Sequence, residues 1–393
     1  VVLAGGQSSV EPFLFSFNPP VIDSFAPASA NTAGGTAFTI LGANFGTLRT
    51  VWVGTQVCPT FSHTHREVVC TLAAGMGTDL TVTVDVGGQL DNADDLLPPL
   101  PNKFSYSPAT ILAFAPMSGI TTGGYAITLT GVSFGTAGAL YFRPPTCLVA
   151  DDASCAEDRL ACSTAAGLPA GASWGHSQII CPVPEFYGPG HKLRLVRGDT
   201  VTAVSTDLFS YNTPTVTAIQ PSNGPTAGGT LVTLTGTNFG KDVATVTLAG
   251  AACTIVSRNH TSIVFTTAAG FGVSKEVIVD VFGSTSNSVL FSYDDPVIST
   301  VTPSGLPTLG GRPITLTGTS FSSVTAALTV TVGDVNCPVT SATQTTIICT
   351  LPQGGGSRLV RVALTSTSTQ ISNQVLYRYA SPATDTLQPG PST

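Results

Sequence analysis

Charge is what this sequence has least of. Only 9% of its 393 residues are Asp, Glu, Lys or Arg, where roughly 25% is usual for a soluble protein. Fifteen Lys and Arg against 22 Asp and Glu leave a formal net charge of -7. So few cations build no phosphate-binding surface, which argues against nucleic acid as a partner. Long apolar runs are missing too, so no membrane span is expected in this stretch. The chain has neither an initiator Met nor a signal peptide. It is therefore expected to be a mature product or a window of something longer. Low charge leaves surface hydration to Thr, Ser, Gly and Asn, whose hydroxyls serve directly or carry covalent glycans. The single sequon, Asn259-His260-Thr261, makes Asn259 the expected N-glycosylation site and implies that any heavier load is O-linked.

What is abundant is repetition. Four segments match: PASANTAGGTAFTILGANFG (27–46), PMSGITTGGYAITLTGVSFG (116–135), PSNGPTAGGTLVTLTGTNFG (221–240) and PSGLPTLGGRPITLTGTSF (303–321). Each has a Pro-led turn, a Gly-Gly pair, an alternating apolar strand, a Gly and a Phe. The Gly-Gly pairs recur at spacings of 89, 105 and 82, the length of a small all-β sandwich. In TLVTLTG (230–236), Val232 and Leu234 take one face and Leu231, Thr233 and Thr235 the other. Ile314 and Leu316 take the inward face of the fourth copy. The Gly-Gly pairs suit a turn with positive φ or a close backbone approach. Phe45, Phe134, Phe239 and Phe321 are expected to plug each core from the same place. None of these glycines follows a strand and opens a helix, so they are not phosphate loops.

These motifs resemble the IPT/TIG family through the pattern P-x-x-G-x-x-x-G-G-x-x-x-x-x-x-G-x-x-F. Departures are small: Ala30 stands where Gly119 and Gly224 stand elsewhere, the last copy has its Gly one place early at Gly305, and it lacks the Gly after Phe. The resemblance implies an immunoglobulin-like sandwich. It also implies the settings of that family: extracellular tandem arrays, receptor ectodomains, linkers in glycan-active enzymes and some transcription factors. The last would need a basic DNA-facing edge, which this chain lacks. Fold alone implies no function.

Each repeat closes on an aromatic strand and a Pro-containing junction: NKFSYSPATI (102–111), DLFSYNTPTV (207–216), VLFSYDDPVI (289–298) and VLYRYASPAT (375–384). The opening FLFSFNPPVI (13–22) is a fifth closer, and VVLAGGQ (1–7) matches TVDVGGQ (83–89). Four beginnings thus stand against five endings. The expected division is residues 1–20 as the last two strands of a missing or partner-supplied domain, then domains 21–108, 109–213, 214–296 and 297–382, and a Pro/Ser/Thr-rich tail, 383–393. Short junctions with little Gly favour an elongated rod over flexible beads. Phe13, Phe15 and Phe17 share a face that wants burial, and are expected to pair with another subunit unless the segment is a stub or folds back.

Nine cysteines fall at 58, 70, 147, 155, 162, 181, 253, 337 and 349. Cys58 and Cys70 are twelve apart, as are Cys337 and Cys349, at matching places in the first and fourth repeats. The second repeat offers Cys147 and Cys181 at those places, with Cys155 and Cys162 in an insertion between them. The expected bridges are 58–70, 147–181, 155–162 and 337–349. In the third repeat Phe265 replaces the partner, so Cys253 is expected to be free. Repeated pairing argues for an oxidising, extracellular compartment. Knuckle-like C-x2-C spacing is absent, which disfavours zinc.

Catalytic patterns are missing, so no enzyme activity, cofactor or metal is expected. His63 and His65 share a strand face without a third ligand. Asp94-Asp95, Asp151-Asp152 and Asp294-Asp295 read as turn residues rather than a calcium series. The least repetitive patch, 151–178 with His176 and Trp174, flanked by His191, is where a specific ligand would bind. The leading functional expectation is a structural subunit of an extracellular, glycosylated fibre that assembles with itself by intersubunit strand pairing. The alternative is an adhesion or receptor ectodomain that binds a protein or glycan through loops of the second repeat. A third is the non-catalytic part of a glycan-active enzyme.

Overall fold

The computed structural model describes residues 3–4, 7–8, 16–91, 103–147, 158–199, 202–365 and 369–381. Apart from a single 3-10 turn at Thr325–Ala327, the regular secondary structure of the described residues is all β-strand. It forms two compact units: residues 1–119, 123–185 and 190–210 in one, residues 120–122, 186–189 and 211–393 in the other.

Within each unit the same strand succession recurs. In the first repeat Val21–Ala26, Ala37–Ala43, Glu67–Thr71 and Thr60–His63 form one antiparallel sheet. Its partner sheet is built on Leu48–Val53, Leu80–Val86 and Lys103–Tyr106. The first strand changes sheets at the Pro-led turn, because Ser29–Ala30 pairs parallel with Lys103–Tyr106. The fourth repeat has the same two-sheet plan. Alternation buries one strand face: Val232 and Leu234 are buried while Leu231 is exposed, and Ile314 and Leu316 are fully buried.

The G-x-x-F ending of the motif has a packing cause. Gly42, Gly131, Gly236 and Gly318 each lie between a carbonyl of the neighbouring strand and the tip of the Phe three residues on. A side chain there would collide with both. The missing Cβ lets Phe45, Phe134, Phe239 and Phe321 reach the core, where all four are fully buried. The Gly-Gly pairs satisfy both requirements read from the sequence. Gly228 and Gly229 have φ of 73° and 74°, and the first also presses on the backbone at Ala268–Ala269. The first, third and fourth repeats each own a hydrophobic core.

Cys58 is joined to Cys70 and Cys337 to Cys349, with Cα atoms 5.5 Å apart in both. The second repeat corrects the sequence expectation, because Cys181 is bonded to Cys162 and not to Cys147. The insertion supplies the strand Arg159–Ser163, which pairs with Gly138–Arg143 and sets Cys162 opposite Leu140. That is the slot Cys58 fills beside Val51 in the first repeat, through its N–H bond to the Val51 carbonyl. The 155–162 bridge falls with it. Cys147 is disulfide-bonded as well, and Cys155 lies outside the described residues. Non-reducing peptide mapping should therefore yield a linked Cys162/Cys181 peptide and no Cys147/Cys181 peptide.

Cys253 is free and half-buried. Its strand, Ala251–Arg258, runs unbroken and pairs with both Ser262–Thr266 and Thr245–Leu248, joining the two sheets of the third repeat. In the first and fourth repeats a Pro follows the matching cysteine, Pro59 and Pro338. A proline cannot donate to the ladder, so there the strand breaks.

Candidate functional site

One arrangement recurs at the ends of the repeats. The Thr two positions before each Gly-Gly pair is Thr32, Thr121, Thr226 or Thr308. The first three are buried to within 1% of full exclusion from solvent. In the first unit Thr32 Oγ1 accepts the Gly135 N–H at 3.2 Å and lies 2.9 Å from Nδ1 of His176. In the second unit Thr121 Oγ1 lies 2.7 Å from His260 Nδ1, and Thr226 Oγ1 lies 2.6 Å from Gln344 Oε1 and against the Phe321 carbonyl. Gln344 Oε1 and the Phe321 carbonyl only accept, so Thr226 is the donor.

The receiving side chains share one structural position. The carbonyls of His176, His260 and Gln344 accept the N–H of Phe134, Phe239 and Phe321. Within each unit the junction thus sets the hydroxyl of one repeat, Thr32 or Thr226, on the residue beneath the Phe plug of the next. Other polar groups tie the same joints. Arg197, 1% exposed, donates to the Ser107 and Ser133 carbonyls at 2.8 and 3.0 Å while gripping Asp199 with two bonds of 2.7 Å. Gln370 donates to the Tyr293 carbonyl and accepts the Gly272 N–H, both at 2.7 Å. Asp295 also accepts from Gln370, and Asp294 from Asn223. That acidic doublet serves a junction by hydrogen bonding.

Replacing Thr226 by valine keeps its shape and removes the hydroxyl, leaving buried acceptors without their donor. A loss of about 1–2 kcal/mol is expected in chemical denaturation. The same change at exposed Thr308 should stay within about 0.5 kcal/mol.

The sequence did not reveal this site. His63 and His65 are exposed. Among the described residues no group of three or more His, Cys, Asp or Glu forms a metal-binding set. His176 does take part, as a junction residue, and burial lowers its pKa. The one sequence-level clue was the Thr common to all four turns. Its partners lie in the following repeat, beyond the reach of local pattern.

The second repeat carries the other irregular region. Arg143 clasps Asp158 with two bonds of 3.2 Å and Arg194 stands 3.8 Å from the same carboxylate. All three side chains are buried, and they anchor the inserted strand. Trp174 Nε1 is buried without a partner among the described residues. His191 is fully buried and its backbone bridges Phe209; burial pushes its pKa down to about 4. The loop from Ala165 to Gly171 is exposed. Asn259 is exposed and its Oδ1 accepts the Thr261 and Ser262 N–H groups. Phe17 is 77% exposed; Phe13 and Phe15 lie outside the described residues.

The IPT/TIG domain model matches residues 20–106, 214–293 and 296–379, more than half of the chain. The chain belongs to the IPT/TIG family. The second repeat lies outside these matches, although its motif at 116–135 is intact and its strands follow the same order. Mouse (Mus musculus) fibrocystin-L is 24% identical over 346 residues, covering 85% of this IPT/TIG chain and 8% of the relative. Mouse plexin-B2 is 36% identical over 138 residues, covering 32% of this chain and 8% of plexin-B2. A solved structure of the plexin A4 full extracellular region aligns at 17% identity and a TM-score of 0.25, covering 86% of this chain and 34% of that one. The chain therefore spans a small fraction of the relatives it matches. Disulfides in three repeats belong to an oxidising setting, and the protein is extracellular or displayed at the cell surface. No helix among the described residues is long and apolar enough to cross a membrane.

Proposed function

We propose that the chain is a segment of an adhesion or receptor ectodomain, acting by binding and not by catalysis. Its four repeats are four immunoglobulin-like domains, 21–108, 109–213, 214–296 and 297–382. They serve as a spacer, and the loops of the second domain contact a protein or glycan ligand. The buried threonine junctions carry this reading. Within each unit a hydroxyl excluded from water and bonded across the joint, Thr32 in the first and Thr226 in the second, holds two successive domains in register, as a spacer requires. Resemblance to plexin and fibrocystin-L stretches supports it further. The second domain is the place for recognition because its insertion is bridged by Cys162–Cys181 and anchored by Arg143, Asp158 and Arg194. Rigid anchoring beneath an exposed loop is how binding loops are commonly built. Asn259 carries glycan in this reading.

Binding of labelled chain to receptor-bearing cells tests it, with residues 165–171 intact or replaced by Gly and Ser. Binding that falls on replacement supports the proposal; equal binding moves the ligand site elsewhere. Sedimentation velocity of the same preparations should show one species of the chain's mass. Assemblies that grow without an added partner would replace this reading with the self-pairing fibre.

A further inference from the structure

We infer that Asn44, His65 and Gln89 on the first repeat form a docking face for the Thr turn of another immunoglobulin-like repeat of the same polypeptide, joined to the first through the Phe17–Pro19 stretch. This deepens the spacer reading and rests on the repeats being stacked domains.

Each of the three residues occupies a position that does junction work elsewhere in the chain. The His65 carbonyl accepts the Phe45 N–H, which gives His65 the place of His176, His260 and Gln344. Asn44 has φ 65° and donates to the Pro19 carbonyl at 3.0 Å. Asn238 has φ 61°, donates to the Thr213 carbonyl, and also accepts the Thr121 N–H at 3.3 Å. Gln89 donates to the Phe17 carbonyl at 3.2 Å, as Gln370 does to the Tyr293 carbonyl. Phe17 and Tyr293 stand at the same place in their closers, FLFSF and VLFSY.

Two of the three residues therefore already hold the incoming chain as an internal junction holds it. What the face lacks is the threonine turn. His65 is exposed, whereas His176, His260 and Gln344 are half-buried. Beside Gln89 an open cleft of about 560 Å³ runs along Phe17, Asn18 and Pro19.

The leading residues have the register of a closing hairpin. Ala4 pairs with Gln7 and Leu3 with Ser8. In the complete first repeat Val86 pairs with Gln89 and Asp85 with Leu90, across Gly87 and Gly88. The Leu3–Ala4 and Gln7–Ser8 pair thus has the register of a repeat's closing hairpin. Continuity into the Asn44 and Gln89 contacts points to the same polypeptide. A second copy of this chain would bring a closing strand of its own, ending at Tyr379, that competes for the place of Phe17.

The test is carbethoxylation of histidines by diethyl pyrocarbonate, read by peptide mass spectrometry. It compares the chain of residues 1–393 with the intact polypeptide purified from its native source. Exposed His63 serves as the internal standard in both. In the native polypeptide His65 should react at least about tenfold more slowly than in the chain alone, as expected for a side chain reached only through local opening. A graft of residues 214–277 directly ahead of Val1 should protect His65 likewise, and Thr226→Val within the grafted copy should restore its reactivity. Equal His65 reactivity in the chain and the native polypeptide overturns the inference, as does a native polypeptide with no repeat ahead of Val1. Neither result bears on ligand binding by the second repeat, so the two proposals fail separately.

Discussion

Gly236→Val is expected to cost the third repeat more than about 3 kcal/mol, above the usual range for an overpacked core. Gly236 is in strand Leu231–Thr237, opposite Val216. An added Cβ would meet the Thr215 carbonyl oxygen and the tip of the Phe239 ring. Neither neighbour is a flexible side-chain end. The carbonyl belongs to a paired strand, and the ring is fully buried. Relief requires the Thr215–Gln220 strand to move off the sheet, or Phe239 to leave the core. Gly229 is the control. It has φ 74°, yet nothing lies within 4 Å of its missing Cβ. Gly229→Ala should therefore cost only the left-handed backbone penalty of about 1–2 kcal/mol. Chemical denaturation of both variants checks the order. Equal losses would mean that backbone conformation, not the space beneath Phe239, is what the motif glycine supplies.

Acid should destabilise the second repeat through His191. Its side chain is fully buried and its pKa in the folded chain is lowered to about 4 by desolvation, against about 6.5 when unfolded. As pH falls below 6.5 the unfolded chain takes up a proton that the folded chain refuses, so stability falls with pH. The loss accumulates down to about pH 4 and reaches about 3 kcal/mol. Above pH 6.5 both states are neutral at this position, and it contributes no pH dependence. Urea denaturation between pH 8 and pH 4 should show a flat region and then this decline. His191→Gln should remove that part of the slope, whatever its effect on absolute stability. An unchanged slope would mean that His191 charges in place.

The repeat architecture was legible because its constraints are local. A Gly-Gly turn, a Gly three residues before a Phe and an alternating strand each act within about twenty residues, and each recurs four times. The cysteines show where such reading stops. Cys147 stands in the sequence slot of Cys58, but the inserted strand Arg159–Ser163 puts Cys162 in the spatial slot. Pairing follows the sheet, not the order of residues. The junctions were illegible for a related reason. Thr32, Thr121 and Thr226 were visible as a common residue, but Thr32 meets His176 across 144 positions and Thr226 meets Gln344 across 118. Nothing in the local pattern links such pairs. Asn44 and Gln89 were hidden likewise, since their roles emerge only by superposing one repeat's junction on another.

The threonine junctions hold neighbouring repeats together, and a double-mutant cycle at Thr226 and Gln344 measures that hold at one of them. The variants are Thr226→Val, Gln344→Leu and the pair together, each followed by chemical denaturation. A coupling energy of about 1–2 kcal/mol is predicted, as for a side-chain hydrogen bond shielded from bulk water on the Thr226 side. Losses that simply add, to within about 0.5 kcal/mol, would contradict the account and leave the repeats joined by their linkers alone.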